Sequence, residues 1–122
     1  MPPRRPDPHG PLSVQSVVAA LDAGTEPDPD ALRIAVRHLL QLLATRHPGR
    51  SLEVRVPPLA AVQCLDGPRH TRGTPPNVIE TDPLTWVRLA TGRLRWADAL
   101  RCAAVVASGA RADLDGYLPL VG

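Results

Sequence analysis

The sequence predicts an α+β domain in which a mostly antiparallel sheet is covered by short helices. Three observations carry this. Apolar residues recur with a period near 3.6 up to residue 43, and the period then switches to 2 at Leu52. Strand-like runs follow at 52–56, 60–65, 78–81 and 104–107, broken by Pro- and Gly-rich turns. Two Asp-Pro pairs, Asp28-Pro29 and Asp82-Pro83, mark helix starts. Strands with short connections are expected to pair as antiparallel neighbours, and the helices to gather on the sheet. A chain of 122 residues makes one domain, which removes roughly two-thirds of its unfolded surface from water.

Residues 1–10 (MPPRRPDPHG) hold four prolines and no apolar pattern, and are expected to form an extended or disordered arm ahead of a single domain at 11–122. The first helix has Ser13 placed as its cap, with Leu12 and Val17 as a hydrophobic staple. Val14, Val17, Val18 and Leu21 make its apolar face, and Gly24 ends it. Asp28 and Pro29 start the second helix. Its Leu32, Ala35, Val36, Leu39, Leu40, Leu42 and Leu43 lie within an arc of ~160°. Arg33, Arg37, His38 and Gln41 occupy the other side, where His38 is expected to be solvated, and Ile34 is the apolar exception. His47-Pro48-Gly49 stops the helix.

Leu52, Val54 and Val56 alternate with Glu53 and Arg55, as in a half-buried strand. Pro57-Pro58 breaks it, and a second strand at 60–65 carries Val62 and Cys64 on one face. Asp66-Gly67-Pro68 is a turn, residues 69–76 an exposed loop, and 78–81 a third strand. A helix at 83–91 follows, with Gly92 as its stop. Leu84, Trp86, Val87, Leu89 and Ala90 cover most of its circumference and leave Thr85, Arg88 and Thr91 polar. A helix of little more than two turns with two greasy sides must be sandwiched, between protein layers or between protein and a ligand. A further helix at 96–100, a fourth strand at 104–107 and a short helical or irregular segment at 113–120 complete the order α-α-β-β-β-α-α-β-α.

Composition narrows the function. There is no Phe, one Tyr and two Trp, so Leu, Val and Ala must fill the core. All fourteen basic residues are Arg, as expected of a GC-rich coding genome. They are balanced by twelve acidic residues and form no long stripe, which speaks against nucleic-acid binding. Cys64 and Cys102 form no CxxC pair, and the apolar context of each predicts a buried free thiol. No secretory segment and no run near the ~20 apolar residues of a spanning helix is present, so a soluble cytoplasmic protein is expected.

Catalysis is poorly supplied. No HExxH, GxSxG, Walker loop or GxGxxG occurs, and His9, His38, His47 and His70 show no metal spacing, so neither metal nor cofactor is expected. Glu80 and Asp82 share a strand-end face, but Asp82 already serves as a helix cap. The densest polar cluster is the loop at 68–74 (PRHTRGT). Its Arg69 and Arg72 either bind a carboxylate or phosphate or pair with Asp66, Glu80 or Asp82 in a solvated hairpin loop. Trp86 and Trp96 either anchor short helices or line a cavity, and one Trp can do both.

The motifs TDPLTW (81–86), LATGRL (89–94), WADA (96–99), VASG (106–109) and RADL (111–114), with EVRVPP (53–58) and HTRGTPPN (70–77), resemble the small bacterial branch of the sterol carrier protein family. The resemblance covers about residues 30 to 120. It implies a largely antiparallel sheet of five strands, against four counted from the residues, covered by helices. It also implies a hydrophobic tunnel that binds sterols, fatty acids or acyl-CoA without chemistry. In that frame Ala103 stands where related sequences tend to have a turn glycine.

The expectation is therefore a non-enzymatic lipid carrier. Val54, Val56, Val62, Trp86, Leu89, Trp96, Leu100 and Leu118 would line the cavity, and Arg69 and Arg72 would meet the head group. Its partners would be a lipid or acyl ligand, at most transiently a membrane surface, and no nucleic acid. An apolar tunnel mouth could equally be a homodimer surface. The rival is an accessory or protein-interaction module with the same fold and no functional cavity. An enzyme using the Arg72 loop on a small acid comes last, because no base is placed to serve it.

Overall fold

The computed structural model describes residues 7–67 and 77–121. Its elements are α1 (Gly10–Ala23), α2 (Pro29–Arg46), β1 (Leu52–Val56), β2 (Ala60–Cys64), β3 (Asn77–Thr81), α3 (Pro83–Ala90), α4 (Trp96–Arg101) and β4 (Val105–Ser108). The α+β class is as expected, with four strands among the described residues in the order β2-β1-β3-β4. β1 pairs antiparallel with β2, placing Val54 opposite Val62. β3 and β4 are likewise antiparallel, with Ile79 opposite Ala107.

One neighbour relation lies outside the short-connection expectation, because a long segment joins β2 to β3. β3 crosses to the far side of β1 and runs parallel to it, with Ile79 opposite Val54. Burial explains the order. β1 buries Leu52, Val54 and Val56, and β3 buries Asn77, Ile79 and Thr81, so both need a strand on each side. β2 buries only Cys64 and can stand at the edge. The opposite face of the sheet is wetter, with a Glu53–Arg55 ion pair and a Val106 that is 63% exposed.

Helix α2 follows its pattern. The Asp28 carboxylate accepts from the Ala31 amide at 3.0 Å, and Ala35, Val36, Leu39, Leu40 and Leu43 are buried. Helix α1 begins earlier than expected. Gly10 is already helical and His9 is its N-cap without a side-chain cap bond. Ser13 is buried inside the helix and Leu12 is 65% exposed, so neither the cap nor the staple forms. At the start the Gly10 amide donates to the Asp7 carbonyl at 3.0 Å, and Gly10 packs so closely on the His38 ring that a Cβ would not fit. His38 is accordingly half-buried under α1 rather than solvated.

Helix α3 is the sandwiched element. Asp82 caps it, accepting from the Thr85 amide at 3.1 Å and the Thr85 hydroxyl at 2.5 Å. Even its polar Thr85 and the following Thr91 are buried. Trp86 is fully buried, and its indole N–H donates to the Val36 carbonyl of α2 at 3.3 Å. On another side the irregular C-terminal segment clamps the helix end: the Leu120 and Val121 amides donate to the Ala90 carbonyl at 2.8 and 3.1 Å. The Arg46 guanidinium donates to the Leu120 carbonyl at 2.5 Å, tying the segment to the end of α2.

Three helices end in the same way. After α1, the Gly24 and Thr25 amides donate to Leu21 and Ala20; after α3, those of Gly92 and Arg93 donate to Leu89 and Arg88. After α4, the Ala103 and Ala104 amides donate to Leu100 and Ala99. This double bond pattern needs a left-handed residue, normally glycine, just past the helix. Gly24 (φ 71°) and Gly92 (φ 78°) supply it, whereas α4 uses Ala103 at φ 57°.

The cysteines differ. Cys64 is a buried free thiol, but Cys102 is exposed, because it falls at the C-cap of α4 and not on a packed face. Among the described residues no helix is long and apolar enough to cross a membrane.

Candidate functional site

Among the described residues, two hollows are lined by residues that the sequence put forward. The first holds about 290 Å³ between the end of α3, the start of α4 and the C-terminal segment. Leu89, Leu94, Trp96, Leu118 and Pro119 supply its apolar wall, and Arg95 and Asp115 its polar groups. Each part is placed by a local rule. The left-handed Gly92 turns the chain from α3 toward α4, which presents Leu94 and Trp96. The bonds to Ala90 hold Leu118 and Pro119 opposite Leu89. Trp96 keeps 7% of its surface exposed and lines the cavity. The turn is steadied from α1, where Asp22 accepts two hydrogen bonds from the Arg93 guanidinium at 2.8 Å. Those bonds hold the Asp22 carboxyl below the usual carboxylate range.

The second hollow, about 510 Å³, is a groove between α2 and β2. Arg37, Leu40, Gln41, Ala44 and Thr45 line its helix side, and the consecutive residues Leu59, Ala60, Ala61 and Val62 its strand side. A further cleft of about 380 Å³ beside Ser51, Asp66, Arg111 and Asp113 is largely polar. No group of three or more His, Cys, Asp or Glu that could hold a metal ion occurs among the described residues.

The sequence-nominated residues divide among these places. Leu89, Trp96 and Leu118 meet in the first hollow. Val62 lines the second. Val54, Val56 and Trp86 are fully buried in the packed core, and Leu100 is 44% exposed on α4. Arg69 and Arg72 lie outside the described residues. Leu94, Arg95 and Pro119 were not nominated, because they sit in turns where no apolar period singles them out. The α2 groove residues recur at i, i+3, i+4, i+7 and i+8, but they straddle the border between the dry stripe and the wet face.

A family model described as a bacterial SCP ortholog matches residues 28–120. No curated protein shows a significant match.

Proposed function

Since the chain belongs to the bacterial branch of the sterol carrier protein family, we propose that it binds a lipid or acyl chain non-covalently and carries it without catalysis. The observation that supports this reading best is the convergence of Leu89, Trp96 and Leu118 on one hollow of about 290 Å³. That volume lies at the lower end of the ~300–1,000 Å³ typical of ligand sites, so it suits a short acyl chain or the end of a longer one. Eight buried methylenes would contribute ~6 kcal/mol at ~0.8 kcal/mol each. Ordering the chain offsets part of that, which puts the expected affinity in the upper micromolar range or weaker. Arg95 offers a cation for a carboxylate or phosphate head group. Arg69 and Arg72 remain proposed head-group contacts, and brief contact with a membrane would suffice for loading.

The accessory-module reading draws on a different observation: Val54, Val56 and Trp86 pack a filled core and leave no wide tunnel there. Native mass spectrometry of the purified chain, with organic extraction, separates the two. A carrier yields a bound species in the mass range of fatty acids or acyl derivatives. Bare protein that also takes up no added dodecanoic acid or acyl-CoA sinks the carrier reading.

A further inference from the structure

We propose that the groove between α2 and β2 docks the C-terminal end of an extended peptide from a partner protein, added antiparallel to β2. β2 is the terminal strand of the sheet, so its outward backbone groups have no ladder partner among the described residues. Ala60, Ala61 and Val62 of β2 line the groove consecutively rather than alternately, after Leu59 of the preceding turn, so it is the strand's edge and not merely one face that borders it. Hydrocarbon laid along that edge would strip water from backbone amides and return no hydrogen bond. An added strand returns one for each outward group.

Direction follows from two bonds. The Arg37 guanidinium donates to the Leu59 carbonyl at 3.4 Å, and the Leu65 amide donates to the His47 carbonyl at 2.7 Å. Helix α2 and strand β2 thus run the same way, with Arg37 at the hairpin end of the groove. Arg37 is the only charged residue in the lining among the described residues. A peptide antiparallel to β2 ends beside it and delivers its terminal carboxylate to the guanidinium. A parallel peptide would set its cationic amino terminus there instead. From Arg37 to Thr45 the helix side spans ~12 Å at ~1.5 Å per residue, matching about four extended residues at ~3.3 Å each. Ala44 and Ala60 keep the floor open for medium aliphatic side chains at alternate positions. The groove is separate from the acyl hollow, so the two proposals stand or fall independently.

The test uses the full chain and an array of fluorescein-labelled hexapeptides that alternate Val, Ile or Leu with Ser or Thr and carry a free C-terminus. Anisotropy should find saturable binders. The best of them should weaken at least tenfold when its C-terminus is amidated, when alternate backbone amides are N-methylated, or with Arg37→Gln, and partly recover with Arg37→Lys. Ala44→Trp should abolish binding while the melting temperature stays near that of the wild type. Absence of any binder overturns the proposal, as does binding indifferent to amidation and N-methylation, which needs no variant to fold. Competitive displacement by dodecanoic acid assigns the groove to lipid, and a dimer dissolved by Ala44→Trp assigns it to a second copy. Either result overturns it as well.

Discussion

Trp86 and Trp96 lie ten residues apart but should respond to replacement in opposite ways. Trp86 is fully buried between α2 and α3 and bonded to the Val36 carbonyl. A buried Trp covers ~150–250 Å², and at ~25 cal/mol per Å² its removal forfeits ~4–6 kcal/mol. Measured Trp→Ala losses of ~3–5 kcal/mol agree. With an unfolding entropy of ~2.1 cal/mol/K per residue, each kcal/mol shifts the midpoint of a 122-residue chain by about 4 °C. Trp86→Ala should therefore lower Tm by ~12–20 °C or prevent folding. Trp86→Phe retains one ring and the surrounding wall, and should cost about 1–2 kcal/mol, or ~4–8 °C. Neither effect should depend on added lipid, because Trp86 lines neither hollow. Trp96→Phe, in the lining of the acyl hollow, should instead weaken ligand binding more than stability. Thermal melts by circular dichroism, with and without dodecanoic acid, read both. A Trp86→Ala protein melting within ~3 °C of the wild type would refute the packing estimate. A Trp86→Phe protein that melts normally but loses ligand would place the site elsewhere.

Ala103→Gly should raise stability by ~0.5–1 kcal/mol, about 2–4 °C in Tm, because it relieves a left-handed alanine that costs ~1–2 kcal/mol, less the entropy glycine adds to the unfolded chain. Ala103 is exposed, so no packing change obscures the result, and an unchanged or lower Tm would count against the strain. Native thiol titration should modify Cys102 and spare Cys64, with both reacting after unfolding. Burial pushes the Cys64 thiol up to about 12, above its value in the unfolded chain. Its contribution is therefore complete below the unfolded thiol pKa of ~8.5 and is lost as pH rises from there toward the folded value. Relative to Cys64→Ala, the wild type should lose stability across that alkaline window, and parallel pH profiles would refute this.

How far the fold could be read depended on whether a local rule or a long-range contact set each feature. Asp28 and Asp82 cap their helices as read, because a cap bond spans only three residues. Gly24 and Gly92 end theirs for the same reason, whereas Ala103 performs the same duty without the residue that advertises it. Ser13 is a residue type that can cap, but the helix already begins at Gly10, packed on His38, and encloses it. The parallel placement of β3 beside β1 was hidden by the long β2–β3 connection, although the deeper burial of β1 and β3 makes sense of it. At the candidate site, Leu89 and Trp96 were visible as apolar residues on short helices. Their partners Leu94 and Pro119 were not, since turns carry no period. The groove beside β2 was illegible because a strand edge without a ladder partner among the described residues is a property of the backbone.

Fluorescence of Trp96 in a Trp86→Phe background tests the carrier proposal most directly, since Trp96 is then the sole tryptophan and lines the hollow. Titration with decanoic and dodecanoic acid should change its emission saturably, with one equivalent bound. An emission unchanged up to the solubility limit of either acid, and by acyl-CoA as well, would contradict binding at this site.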